Sequence, residues 1–173
     1  MTVQKQSKNI EEKRTLLGFK ESLLSNRRNR NRIITARKIS NAIKYLNDKR
    51  YYVVIVTNQS GIARGYYGIK DLENLHKYML NEIHKFGGYV DRIYYSPFHP
   101  NGKIKKYKKK SSYRKPGIGM LKQCDRELQI NKSKSFLIGD SLTDIKAAKN
   151  FKIKGYLVKA NLLDQIKSTT KKN

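Results

Sequence analysis

The chain has 173 residues, of which 38% are hydrophobic, and this is enough for one domain with a substantial core. A single cysteine, Cys124, excludes a disulfide framework or a cysteine-based zinc site, and no apolar run approaches the ~20 residues of a membrane span, so a cytoplasmic protein is expected. The formal net charge of +26 implies attraction to polyanions, but the lysines are scattered along the chain, which predicts weak, non-specific binding.

The N-terminal part, residues 1–38, is atypically basic and contains no recognisable strand, so disorder is one expectation for it. Apolar residues from Ile39 then recur at helical spacing as far as Asp48. Residues 51–56 form a continuous apolar run, which is typical of a strand buried on both faces. The remaining predicted elements are a helix over 71–86, a strand over 92–96, a helix near 120–128, a strand over 134–139, a helix over 143–151, a strand over 155–159 and a last helix capped by Asn161.

This alternation of strands and helices predicts an α/β domain with a doubly wound parallel sheet. We expect one domain over residues 39–168, followed by a basic tail over 169–173, in a monomeric protein. Ligands of such sheets bind at the carboxyl ends of the strands, so the residues that follow each strand are the candidate site.

Polar side chains stand at three of these positions. Thr57 and Asn58 end the first clear strand, Asp140 ends a later one with Asp144 four residues beyond it, and Lys115 opens a helix. Taken singly, these residues could form a turn, a helix cap and a partner of a helix dipole. Together, a hydroxyl, an ammonium and two carboxylates favour a phosphate site with Mg²⁺, which prefers a few hard oxygen ligands.

Three segments in this order, "VTNQSGIARG", "RKPGIGML" and "FLIGDSLTD", resemble motifs two, three and four of the haloacid-dehalogenase (HAD) phosphatases. Within that superfamily they are most similar to the heptose 1,7-bisphosphate phosphatases and the related histidinol-phosphate phosphatase domains. The resemblance implies a HAD-like fold, a phosphorylated sugar as substrate and Mg²⁺ as cofactor. The resemblance implies that Thr57 and Asn58 bind the transferring phosphoryl group and that Gln59, Ser60 and Arg64 contact the substrate. It implies that Arg114 and Lys115 bind the phosphates of the substrate. Asp140 would bind Mg²⁺, with Asp144 as a further ligand or behind it.

The zinc loop of the family lacks its ligands in this chain. Its four cysteine and histidine positions are occupied by Ser96, Phe98, Ser111 and Tyr113, so no zinc is expected. The neighbouring His99 cannot supply four ligands, and we expect it to be hydrogen-bonded within the loop.

The nucleophile of the family is also absent. Covalent phosphoryl transfer in the family uses an Asp-x-Asp pair at the end of the first strand, and this chain contains no such pair. Three interpretations follow: an N-terminus altered by a frameshift or a different start, a relative that binds phosphorylated ligands without cleaving them, or another attacking carboxylate such as Glu11, Glu12 or Glu21. A polynucleotide 3′-phosphatase, whose second motif is similar, is the alternative to a sugar phosphatase.

Overall fold

The computed structural model of the chain describes the backbone of residues 14–17 and 29–171 and the side chains of residues 37–171. Within these residues, no helix is long and apolar enough to cross a membrane. The elements in chain order are β1 (Arg14–Leu17), α1 (Asn29–Asp48), β2 (Tyr51–Asn58), α2 (Ser60–Arg64), α3 (Ile69–Lys85), β3 (Arg92–Ser96), α4 (Gly119–Leu128), β4 (Phe136–Gly139), α5 (Leu142–Phe151), β5 (Lys154–Leu157) and α6 (Leu162–Lys171).

The strands form one five-stranded sheet in the order β3-β2-β1-β4-β5, and every pairing is parallel. Strand β1 lies at the centre, where Leu16 pairs with Val53 on one side and with Phe136 on the other. The chain runs from β1 through β2 to β3 at one side of the sheet. It then crosses back to β4, beside β1, and continues to β5 at the other side. The predicted α/β fold with a parallel sheet is confirmed.

The central strand lies in the segment where the sequence showed no recognisable strand. Its four residues, RTLL, are too short a run to display a strand pattern, and pairing with β2 and β4 establishes the strand instead. The domain over residues 39–168 stays a prediction, and its two bounds fall within α1 and α6. Disorder was one expectation for the N-terminal segment. Residues 1–13 and 18–28 of that segment lie outside the described residues, so for them it stays a prediction.

The sheet separates two hydrophobic clusters, and β2 contributes to both because its side chains alternate between the faces. Val53 and Ile55 pack with residues of α1, α3 and α6, whereas Val54 and Val56 pack with α4 and α5. All four side chains are at most 1% exposed. The prediction of a strand buried on both faces is therefore confirmed, and the polar end of this strand is held on a rigid support.

A buried hydroxyl at the end of β3 has no hydrogen-bond partner among the described residues. Ser96 is 0% exposed, and its backbone carbonyl accepts from the Gln59 N–H, whereas its hydroxyl is bonded to none of the described residues. An unsatisfied buried hydroxyl loses its hydration without compensation.

We expect Ser96→Ala to raise the free energy of unfolding by about 1 kcal/mol in chemical denaturation. The matched control is Ser135→Ala, because Ser135 is equally buried but its hydroxyl donates to the Asn131 carbonyl. That substitution should lower the free energy of unfolding by about 1 kcal/mol. Equal destabilisation by both substitutions would contradict the assignment of an unsatisfied hydroxyl at Ser96.

Candidate functional site

The carboxyl ends of β2 and β4 lie on the two sides of the central strand, at the same edge of the sheet. In the pairing register, Leu17 of β1 is opposite Val54 and Leu137. Thr57 is the penultimate residue of β2, three residues after Val54, and Asp140 directly follows β4. Two strand spacings of about 4.8 Å each therefore separate β2, which carries Thr57, from β4, which precedes Asp140.

Lys115 reaches this edge from the loop before α4, and its ammonium is buried. The side chain is 9% exposed, and its Nζ lies 2.7 Å from the Val56 carbonyl oxygen and 2.6 Å from Oδ1 of Asp144. The ammonium donates to a carbonyl of β2 and forms an ion pair with a carboxylate of α5. An ion pair with so little exposure is poorly screened by solvent, so its geometry is well defined.

Asn58 holds the backbone of Lys115. Its side-chain Oδ1 accepts from the Lys115 N–H at 2.9 Å, and its Nδ2 donates to the Lys115 carbonyl at 3.1 Å. Both functional groups of the amide are thus engaged by the protein. The sequence resemblance implied a phosphate contact for Asn58, whereas its side chain in this structure positions Lys115.

Asp144 is fixed at the start of α5 by a capping box. Its Oδ2 accepts from the backbone N–H and the hydroxyl of Ser141. A Cβ on Gly139 would lie 2.3 Å from the Asp144 side chain, so the close approach requires glycine. Burial alone would raise the pKa of Asp144, but the Lys115 charge and the hydrogen bonds from Lys115 and Ser141 outweigh burial and hold this pKa below its ordinary value.

Thr57 and Gln59 are also buried, at 4% and 5% exposure. The Gln59 amide lies between two hydroxyls, since its Nε2 donates to Thr57 Oγ1 at 3.4 Å and its Oε1 accepts from the Tyr67 hydroxyl at 2.6 Å. These contacts place the amide behind Thr57, although the resemblance implied a substrate contact. Ser60, which begins α2, is half-buried.

A cluster formed by Arg64, His99 and Arg114 lies beside this edge, and its positive charge is that of the two guanidinium groups. Arg64 Nη2 is 3.5 Å from His99 Nε2, and Arg114 Nη1 donates to the Phe98 carbonyl at 3.4 Å. Burial, and then the Arg64 charge, lower the pKa of Arg114, while burial and both arginine charges lower the pKa of His99. Among the described residues, no carboxylate forms an ion pair with either arginine. The cluster is suited to bind an anion.

The loop that follows β3 is held by aromatic and backbone contacts. The Phe98 and Tyr107 rings lie 6.2 Å apart, and Lys109 Nζ lies 4.6 Å from the centroid of the Phe98 ring. The His99 N–H donates to the Tyr107 carbonyl, and His99 Nδ1 accepts from the Asn101 N–H. The expectation of a histidine hydrogen-bonded within the loop is confirmed. Residues 37–171 contain no group of three His, Cys, Asp or Glu side chains that could hold a metal ion.

Comparisons with known proteins identify the family of the chain. The family model described as polynucleotide kinase 3 phosphatase matches residues 13–164. The chain belongs to this family of HAD-like phosphatases. A D-glycero-beta-D-manno-heptose-1,7-bisphosphate 7-phosphatase of Rhodopseudomonas palustris is 38% identical over 73% of this chain and 70% of its own length. A protein of the same name from Photorhabdus laumondii is 45% identical over 60% of this chain and 55% of its own length.

Two solved structures share the fold. A HAD-like phosphatase of Mesorhizobium loti superposes with a TM-score of 0.75 at 22% identity, covering 92% of this chain and 87% of its own. The D,D-heptose 1,7-bisphosphate phosphatase of B. bronchiseptica, complexed with magnesium and phosphate, gives a TM-score of 0.72 at 22% identity over 93% of this chain and 99% of its own. These likenesses support the HAD-like fold of the described residues.

The oxygen donors at this edge of the HAD-like fold fit Mg²⁺. Asp140 presents an exposed carboxylate directly after β4, and Mg²⁺ is commonly held by one or two carboxylates together with waters and phosphate oxygens. Asp144 is already engaged by Lys115 and Ser141, so Asp140 is the better placed of the two carboxylates to bind a metal ion. The residues after β1, where the family has its nucleophile, lie outside the described residues.

Sequence reasoning missed two contributors to the site. The Val56 carbonyl gives no sequence signal, because any residue carries one. Tyr67 lies in the glycine-rich stretch after the second motif, and only the fold places its hydroxyl against Gln59. A Cβ on Gly61 would lie 2.2 Å from the Tyr67 ring, so that glycine is the one local sign of a close approach.

We expect Asp144→Asn to lower the free energy of unfolding at neutral pH by about 3 kcal/mol, because Lys115 would remain buried without a countercharge. Because the pKa of Asp144 is lowered in the folded state, the stabilisation is complete above its ordinary pKa of 3.8 and is lost as the pH falls through the lower folded-state pKa. The difference between the two proteins should therefore shrink in strong acid.

The control for this prediction is Asp125→Asn, which removes a more exposed ion pair with Lys132. It should cost about 0.5 kcal/mol at neutral pH. Chemical denaturation at several pH values measures both variants. Equal losses for the two aspartates, or a pH-independent loss for Asp144→Asn, would show that the buried pair is not a major contributor to stability.

Proposed function

We propose that the chain binds a phosphorylated sugar, most similar to a heptose 1,7-bisphosphate, at the carboxyl edge of its sheet. The observation that carries the proposal is the buried Lys115 ammonium, fixed beside the end of β2. An ammonium has three N–H donors, and the Val56 carbonyl accepts one of them while Asp144 supplies the countercharge, so the ammonium can also donate to a phosphate oxygen. The relatives that are 35–45% identical and named heptose bisphosphate phosphatases support the same substrate class.

Two anionic groups on one ligand would match the two centres of positive charge. One phosphate would accept from the Thr57 hydroxyl and Lys115, with Mg²⁺ on Asp140 neutralising its remaining charge. The other phosphate would be bound by Arg64, which contacts His99, and by Arg114, which contacts the neighbouring Phe98 carbonyl. A planar guanidinium binds phosphate through paired N–H groups, so this cluster would select a bisphosphate over a monophosphate.

Turnover requires a carboxylate that this chain does not provide at the end of its first strand. Strand β1 is followed in sequence by Gly18, Phe19 and Lys20, none of which can attack phosphorus or form a phosphoaspartate. We therefore propose that the chain as it stands binds its ligand and hydrolyses it only at a background rate. The phosphate-binding residues and the metal ligand would remain in place for binding.

We expect isothermal titration calorimetry to show Mg²⁺-dependent binding of heptose 1,7-bisphosphate without measurable release of phosphate. The double substitution Gly18→Asp with Lys20→Asp gives the sequence Asp-Phe-Asp after β1. It should raise the rate of phosphate release by several orders of magnitude, because covalent catalysis then becomes available. Adding Asp140→Asn should abolish the gain, whereas Asp48→Asn, at a surface pair with Lys44, should leave it unchanged.

Rapid turnover by the unmodified chain, lost on Asp140→Asn, would show that another carboxylate attacks, and Glu11, Glu12 and Glu21 would be tested next. No binding of the bisphosphate with or without Mg²⁺ would exclude the sugar-phosphate proposal itself.

A polynucleotide 3′-phosphate is the second candidate ligand, favoured by the description of the matching family model and by the net charge of +26. We expect a 3′-phosphorylated single-stranded oligonucleotide to bind weakly, with an affinity that falls steeply as salt rises. The bisphosphate should displace it at physiological salt. Tight binding that survives physiological salt and resists the bisphosphate would favour the polynucleotide as ligand.

A further inference from the structure

Three side chains form a line of hydrogen bonds that ends at the candidate phosphate-binding hydroxyl. The Tyr67 hydroxyl donates to Gln59 Oε1 at 2.6 Å, and Gln59 Nε2 donates to Thr57 Oγ1 at 3.4 Å. The Gln59 backbone N–H donates to the Ser96 carbonyl on β3, which fixes the origin of the side chain. Gln59 is 5% exposed, so its amide depends on protein partners for its hydrogen bonds.

The direction of these bonds determines what Thr57 can offer to a ligand. A glutamine amide has an acceptor end and a donor end, and the Tyr67 hydroxyl engages the acceptor end. The donor end must then face Thr57, whose oxygen accepts from it. A hydroxyl carries one proton, and with its oxygen accepting from Gln59 that proton is directed elsewhere.

We propose that Tyr67 and Gln59 are positioning residues that set the Thr57 hydroxyl as a hydrogen-bond donor toward bound phosphate. A phosphate dianion presents only acceptors, so a threonine turned the other way would place a lone pair against it. This inference rests on the proposed function, since it deepens the role of the same site. Tyr67 acts at a distance here, and it need not touch the ligand.

The contact between Tyr67 and the second motif is built closely. A Cβ on Gly61 would lie 2.2 Å from the Tyr67 ring, so the ring lies over the glycine backbone. Tyr67→Phe keeps this ring and removes only the hydroxyl. Tyr66→Phe is the matched control, because the neighbouring Tyr66 is 71% exposed.

The test measures binding of inorganic phosphate in the presence of Mg²⁺ by titration calorimetry, using the full chain. Tyr67→Phe should weaken phosphate binding about 5-fold and Thr57→Val about 20-fold, as expected for losing an oriented and a direct hydrogen bond. In the Thr57→Val background, Tyr67→Phe should have less than a twofold effect, because the relay then has no hydroxyl to orient. Tyr66→Phe should change binding less than twofold in either background.

Two outcomes would overturn the proposal. If Tyr67→Phe weakens phosphate binding equally with and without the Thr57 hydroxyl, then Tyr67 acts by packing and not through Thr57. If Tyr67→Phe leaves phosphate binding unchanged in the unmodified background, then Thr57 needs no orienting partner.

A second measurement separates the relay from the proposed function. In ¹⁵N-resolved NMR spectra of the ligand-free chain, Thr57→Val and Tyr67→Phe should each shift the Gln59 side-chain amide resonances, and Tyr66→Phe should not. Phosphate that fails to bind the unmodified chain while these shifts occur would reject the proposed function and keep the relay. Unchanged Gln59 resonances in both variants would reject the relay whether or not phosphate binds.

Discussion

The contact between the Lys115 ammonium and the Asp144 carboxylate is the constraint on which the rest of the candidate site depends. It joins three parts of the chain that are remote in sequence, because the same ammonium also donates to the Val56 carbonyl of β2. Two buried charges carry a desolvation cost of several kcal/mol each, and only good geometry with further hydrogen bonds offsets it. Ser141 supplies those bonds to the carboxylate, and the Val56 carbonyl accepts one from the ammonium.

Such an arrangement is expensive if its only role is stability, since well-packed apolar side chains of similar volume often serve equally well. It is suited to a site that must present a fixed positive charge at a strand end. Asn58 and Gly139 then have related purposes, because one holds the backbone of Lys115 and the other admits the side chain of Asp144. Within one motif, some residues are thus placed to meet a ligand, and their neighbours support them.

The sequence predicted the fold where the pattern was long and local. Strand β2 was evident from its continuous apolar run, and its alternating burial between two clusters explains that run. Strand β1 was missed because its four residues become a strand through pairing with β2 and β4, which is information from distant parts of the chain. The topology of a parallel sheet was enough to predict that Thr57, Lys115 and Asp140 lie at one edge. The supporting contacts of Asn58 and Gln59 could not be predicted, because they depend on the direction of each side chain.

Acidic residues are distributed unevenly along the chain. No Asp or Glu occurs from residue 92 to residue 124, a span that includes the lysine-rich loop, Arg114 and Lys115. Contacts such as Lys109 over the Phe98 ring give this loop about 0.5–1 kcal/mol each, far less than a structural zinc ion contributes. The loop is therefore weakly cross-linked, and an anion between Arg64 and Arg114 would relieve the repulsion of the two guanidinium groups. Ligand binding and order of this loop should consequently be coupled.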